Sequence, residues 1–288
     1  MNLKYLAALA PILLFASMAG RAQSLGNGNE GIVMLKNEGD VLPLQKEKVA
    51  IVGKAAAMWP GLKKALGKQA EPVEPADSGE LVKYAAAVVI AAPGDSAMIL
   101  GVAARVKNVV VVATEPQKTD FTPWVYRVKG IFGLLGPQTD GGAKLAAIMQ
   151  GKESPSARLP FAITTPTSAG PRPLFPFGFG RSYTSFAYSS LKTAPAGGGR
   201  VRISFKLANT GSRDGCEVAQ VYVMPADSFA TATADDLKAF KKVSLRAGSS
   251  TVVSLDIDAA AFPQKNKKYQ ILVGPYSDDL TLRAVVVP

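Results

Sequence analysis

Two hydrophobic rhythms divide the chain. Between Lys48 and about Gln150, short unbroken apolar runs alternate with amphipathic stretches. Val49-Ala50-Ile51-Val52-Gly53, Ala86–Ala92, Asn108–Thr114 and Lys129–Leu135 read as strands buried on both faces. Ala56–Leu66, Ser96–Val106 and Gly142–Gln150 read as helices, the second opened by Asp95 as its N-cap. Apolar strands separated by helices predict an α/β three-layer sandwich with a mostly parallel sheet.

In the last third the period drops to two. Val201, Ile203, Phe205 and Leu207 alternate with Arg202, Ser204, Lys206 and Ala208. Glu217–Met224, Lys238–Leu245, Ser250–Asp258, Lys268–Gly274 and Leu280–Val287 follow, separated by Gly-, Pro- and Asp-bearing turns. Ala194–Gly199 reads as a loop tip. Roughly 100 residues carrying six or seven short strands predict an all-β immunoglobulin/fibronectin-III-like sandwich.

Between the two lies Pro173-Leu174-Phe175-Pro176-Phe177-Gly178-Phe179-Gly180-Arg181-Ser182-Tyr183-Thr184-Ser185-Phe186. Its five rings, set among Pro and Gly, predict an extended segment stapled into a domain interface. Each ring contributes about 1.5–3 kcal/mol at most when buried. The expected division is a signal peptide over 1–22, the α/β domain over 23–165, an aromatic linker over 166–189 and the β-sandwich over 190–288.

Composition narrows the chemistry. The chain has no histidine, which excludes a Ser-His-Asp triad, a Cys-His pair and a histidine-ligated zinc. Its single cysteine, Cys216, excludes an intrachain disulfide and a thiolate cage. No metal or cofactor is expected. The cationic Met1–Lys4, the apolar Tyr5–Ala19 and the small residues Gly20 and Ala22 form a secretory signal pattern cleaved near Ala22. The run is shorter than the roughly 20 residues a membrane span needs, so a secreted or periplasmic protein without a stable span is expected. Cleavage leaves 31 basic and 22 acidic residues, a net charge of +9. That charge is spread in pairs such as Lys63-Lys64 and Lys241-Lys242, which argues against nucleic-acid binding.

Five segments, in order, resemble glycoside hydrolase family 3, the β-glucosidase and β-xylosidase family. They are Gly31–Leu44, Gly136-Pro137-Gln138-Thr139-Asp140-Gly141-Gly142, Ser154-Pro155-Ser156-Ala157-Arg158-Leu159-Pro160, the aromatic connector, and Asp236–Val243. The resemblance implies the family's C-terminal α/β sandwich domain followed by its fibronectin-III-like domain. It also implies a nucleophilic Asp, usually followed by Trp, in a catalytic barrel, and an acid/base Glu on a second-domain loop. This sequence has no Asp-Trp pair, and 288 residues leave no room for the barrel. The matching loop shrinks to Pro93-Gly94-Asp95-Ser96-Ala97-Met98, without Glu. No catalytic residue is therefore assigned.

Asp95 and Glu115 each sit just past the carboxyl end of an expected parallel strand, where open α/β sheets bind ligands. With Gln138 and Asp140 of the Gly-rich turn, they are the candidate sugar-binding residues. The plainer account is favoured: Asp95 caps a helix, Glu115 is a solvated loop residue, and turn geometry explains Gln138 and Asp140. Trp124 could offer a sugar platform, although core packing suits it better. The expected function is a noncatalytic accessory or carbohydrate-binding protein, with a carbohydrate ligand and a barrel-bearing glycosidase chain as candidate partners. An active β-glucosidase-like hydrolase and a purely structural protein are the alternatives.

Overall fold

The computed structural model describes residues 31–53, 59–74, 79–136, 141–168 and 170–288. The expected signal peptide lies outside the described residues. The first half is a six-stranded sheet built from β1 (Ile32–Asn37), β2 (Val49–Val52), β3 (Ala70–Pro72), β4 (Ala86–Ala91), β5 (Asn108–Ala113) and β6 (Gly130–Leu134). Its order is β1-β6-β5-β4-β2-β3. All neighbours are parallel except β1, which runs antiparallel along the outer side of β6.

Alternate residues of these apolar runs feed two separate cores. Val49, Ile51, Val88, Ile90, Val110, Val112 and Phe132 face α1 (Trp59–Leu66) and α3 (Gly141–Met149), meeting Leu62, Leu66, Leu145 and Ile148. Ala50, Val52, Val89, Val111 and Ile131 point the other way. They meet Ile99 and Val102 of α2 (Ser96–Ala103) and the irregular segment carrying Phe121, Trp124 and Val128. Both faces are thus covered, as unbroken apolar strands require. The backbones of α1 and α3 approach unusually closely. A Cβ on Gly142 would stand 2.4 Å from the Leu62 nitrogen and 2.7 Å from the Gly61 carbonyl carbon. Helix packing, beyond turn geometry, therefore requires this glycine.

A short ribbon of β7 (Ile163–Thr165) and β8 (Arg172–Phe175) leads into the connector. The sandwich follows. One sheet has the order β13-β10-β9, from β9 (Phe186–Pro195), β10 (Val201–Asn209) and β13 (Ser250–Ile257). The other has the order β12-β11-β14-β15, from β11 (Gly215–Pro225), β12 (Leu237–Leu245), β14 (Tyr269–Gly274) and β15 (Leu282–Val286). Val201, Ile203, Phe205 and Leu207 of β10 pack against Ala219, Val221 and Val223 of β11. The opposite face of β11 is also buried, where Tyr222 and Met224 join Phe177 and Leu237. One strand thus contacts both the sandwich core and the connector.

Three elements depart from the sequence reading. β1 and β3 extend the sheet at its two ends. β9 starts at Phe186, inside the stretch read as linker. Its inward series, Phe186, Tyr188 and Leu191, changes parity at a bulge where Ser190 has φ +59° and the register on β10 shifts. A bulge inserts one extra residue and breaks the period of two.

Candidate functional site

The parallel strands β2, β4 and β5 end on one side of the sheet, the side on which the sequence places the candidate carboxylates. Backbone packing there is tight. Gly53, with φ +124°, closes β2 so closely on β4 that a Cβ would stand 2.0 Å from the Ile90 carbonyl oxygen. Thr114 ties the β5 end to β4, its N–H and Oγ1 both donating to the Ala91 carbonyl at 3.0 and 3.1 Å.

Both candidate carboxylates at these ends have local partners. Asp95 occupies the N-cap position of α2, but its side chain makes no capping bond. Its Oδ2 instead accepts from the Ala92 N–H at 2.9 Å, folding the Pro93-Gly94 turn back on the strand end. The expectation that Asp95 caps the helix is corrected on this point. Its φ and ψ of −80° and 17° lie outside the extended conformation from which an N-cap side chain usually reaches forward. Glu115 pairs with Lys118, Oε2 to Nζ at 2.5 Å, and its carbonyl accepts from Thr119 Oγ1 at 2.9 Å. Gln138 and Asp140 lie outside the described residues. Trp124 is wholly buried against Phe121, ring centroids 5.0 Å apart, and is core rather than platform. Its Nε1 has no hydrogen-bond partner.

The second built region is the joint. Phe121 meets Phe175 edge-on at 5.7 Å, Phe175 meets Phe179 at 5.7 Å, and Phe179 meets Tyr276 edge-on at 5.0 Å. This line of rings runs from the α/β core through the connector into the sandwich. Phe177 branches off to Tyr222 at 6.5 Å. The two glycines between the rings have separate reasons. Gly178 has φ +77°, and a Cβ there would stand 2.1 Å from Gln220 Oε1. A Cβ on Gly180 would stand 2.3 Å from the Ala157 carbonyl. The freed space lets Gln220 Nε2 donate to the carbonyls of Gly178 and Pro275, at 3.0 and 2.5 Å. Gln220 Oε1 accepts from the Tyr222 hydroxyl at 2.6 Å. Tyr183 donates to the Ile148 carbonyl at 3.0 Å, and burial raises its ionisation well above the usual phenol range.

Two residues of this joint have no role in the sequence reading. Arg158 Nη2 donates to Glu217 Oε1 at 2.8 Å, with side chains 3% and 4% exposed. The signal was a charge inside apolar surroundings at both positions, Ala157-Arg158-Leu159 and Glu217-Val218-Ala219. Charges are almost never fully buried unless paired.

The comparisons with known proteins agree with this architecture. Residues 85–183 match the glycosyl hydrolase family 3 C-terminal domain, and residues 217–277 match a fibronectin type III-like domain. An exo-α-(1→6)-L-arabinopyranosidase of Bifidobacterium longum is 30% identical over 205 residues, 60% of this chain and 27% of its own. A thermostable β-glucosidase B of Acetivibrio thermocellus is 29% identical over 66% of this chain and 31% of its own. A periplasmic β-glucosidase of Salmonella typhimurium is 29% identical over 48% of this chain. Among solved structures, a family 3 β-glucosidase of Bifidobacterium adolescentis superposes with a TM-score of 0.76 at 24% identity. The match covers 96% of this chain and 56% of that one. The chain thus spans about a quarter to a third of the curated relatives' length and about half of that solved chain.

Proposed function

Since the chain carries the C-terminal domain of glycosyl hydrolase family 3 followed by a fibronectin type III-like domain, we propose that it is a noncatalytic accessory or carbohydrate-binding protein of the β-glucosidase line. The observation that carries this reading is the engagement of the strand-end carboxylates. Asp95 accepts from a backbone N–H and Glu115 pairs with a lysine. Hydrolysis of a glycosidic bond uses two carboxyls facing each other across it, about 5–5.5 Å apart for retention and 6.5–9.5 Å for inversion. Neither contact sets one carboxylate opposite another.

Two further points support the reading. The relatives' names are those of glycosidases, which favours a carbohydrate as ligand. A barrel-bearing glycosidase chain is the partner proposed to bring the catalytic residues. Secretion or a periplasmic location is proposed from the signal pattern of residues 1–22 and from the periplasmic β-glucosidase among the relatives. Among the described residues, no helix is long and apolar enough to cross a membrane.

The test is turnover of aryl β-glucosides by the purified protein, with and without a barrel-bearing family 3 chain. Alone, it is expected to give no release above blank. Turnover by the lone protein that disappears in Asp95→Asn would overturn the proposal in favour of an active β-glucosidase-like hydrolase. Glucose or cellobiose titration with NMR detection is expected to perturb the Ala92–Asp95 and Thr114–Glu115 amides. A flat titration across both sugars would leave a purely structural role instead.

A further inference from the structure

The joint combines two kinds of contact with different physical consequences. The line of rings supplies adhesion, but apolar contact is non-directional and tolerates sliding. The Arg158–Glu217 pair is directional and sits where three segments meet. Arg158 comes from the α/β domain, on the stretch after α3. Its stem lies against connector Gly180, where a Cβ would stand 3.1 Å from Nη1 and 3.3 Å from Cδ. Glu217 lies near one end of β11, two residues before the inward-facing Ala219. Its strand neighbour Gly215 faces the connector, since a Cβ there would stand 3.5 Å from Ser182 Oγ. Tyr188 of β9 completes the site. Burial raises its ionisation far above the usual phenol range, and the Glu217 carboxylate raises it further.

The guanidinium therefore leaves its own domain and ends inside the next one. Around it, Arg158 Nε and Ser182 Oγ are buried without hydrogen-bond partners. Each such buried, unpaired group costs stability. A buried pair of this kind adds little net stability over an apolar replacement, because desolvation offsets the attraction. It does penalise every arrangement that separates the charges, since each would be left buried and alone.

We propose that the Arg158–Glu217 pair is an orientation latch: it selects one relative setting of the α/β domain and the sandwich, while the rings hold the two together. The test uses spin labels on cysteines placed at Lys107 and Ser254, both exposed and one in each domain, in a Cys216→Ser background. Arg158→Met alone is expected to lower the thermal midpoint. The double variant Arg158→Met/Glu217→Leu is expected to regain it. Despite that recovery, its interlabel distance distribution should widen at least twofold over the parent. A recovered midpoint with an unchanged narrow distribution would overturn the proposal, since the orientation would then be set without the pair. Arg158→Lys, which keeps the charge but loses the planar fork, gives the same reading should the double variant fail to fold. Widening in Arg158→Lys supports the latch, and an unchanged width in that variant overturns it.

Discussion

Gly178 and Gly94 both have positive φ, +77° and +95°, yet only one of them has a neighbour in the way. An alanine at either position meets the left-handed penalty of about 1–2 kcal/mol. At Gly178 the new methyl also meets the Gln220 amide, which bridges the connector to Pro275, and overpacking of that kind costs about 1–3 kcal/mol more. Thermal melts of Gly178→Ala and Gly94→Ala should therefore differ, with Gly178→Ala lower; equal midpoints would mean that Gln220 moves aside freely. Glu38 is a second residue with a specific expectation. Lys129 and Lys36 bond its carboxylate, the latter at 2.9 Å, and hold its pKa down at about 2 against an ordinary 4.5. A depressed folded-state pKa gives stability that is present above about 4.5 and lost as pH falls from there through about 2. Glu38→Gln should flatten stability against pH within that window, lowering it at neutral pH and leaving it nearly unchanged below about 2. The pair is half exposed and screened by salt, so the effect should shrink at high ionic strength.

Elements were legible where one physical cause set the pattern. The four inner parallel strands and the helices between them could be read because burial on both faces leaves no polar residue to confuse the period. β9 was obscured at one residue, Ser190, where the bulge shifts Phe186 and Tyr188 out of phase with Leu191. β1 was obscured by direction, because an apolar run does not say whether its neighbour is parallel. Plain alternation takes Val33 and Leu35 to one core and Ile32 and Met34 to the other, with a register shift on β6 between Met34 and Lys36. The α1–α3 contact was legible only as a Gly-Gly pair in a turn, since the glycine it touches, Gly61, lies about eighty residues away. Gly142→Ala should push the two helices apart and cost about 1–3 kcal/mol, read as a lower urea midpoint at an unchanged slope. A changed slope would point instead to a less compact native state.

At the scale of the whole molecule, the aromatic connector was readable from composition, but its electrostatic counterpart was not. Arg158 and Glu217 are 59 residues apart, and neither has an oppositely charged residue beside it in the sequence to mark it. The same limit applies to the candidate carboxylates, where strand ends could be located but not the turn that draws Asp95 back to Ala92. A chain with two domains has no reason to unfold in one step unless the joint couples them strongly. Here the coupling runs through Phe175, Phe179 and Tyr276, through Gln220, and through the buried ion pair. Scanning calorimetry of the intact protein should therefore show a single transition. Phe179 is the ring to remove, because it links Phe175 of the α/β core to Tyr276 of the sandwich while being only half-buried itself. Its truncation removes at most about 1.5–3 kcal/mol of apolar burial, too little to unfold either domain alone. Phe179→Ala should split the single transition into two. If one transition persists and merely moves to lower temperature, the rings stabilise the joint without coupling its two sides, and the cooperativity resides in the polar contacts of Gln220 and Arg158.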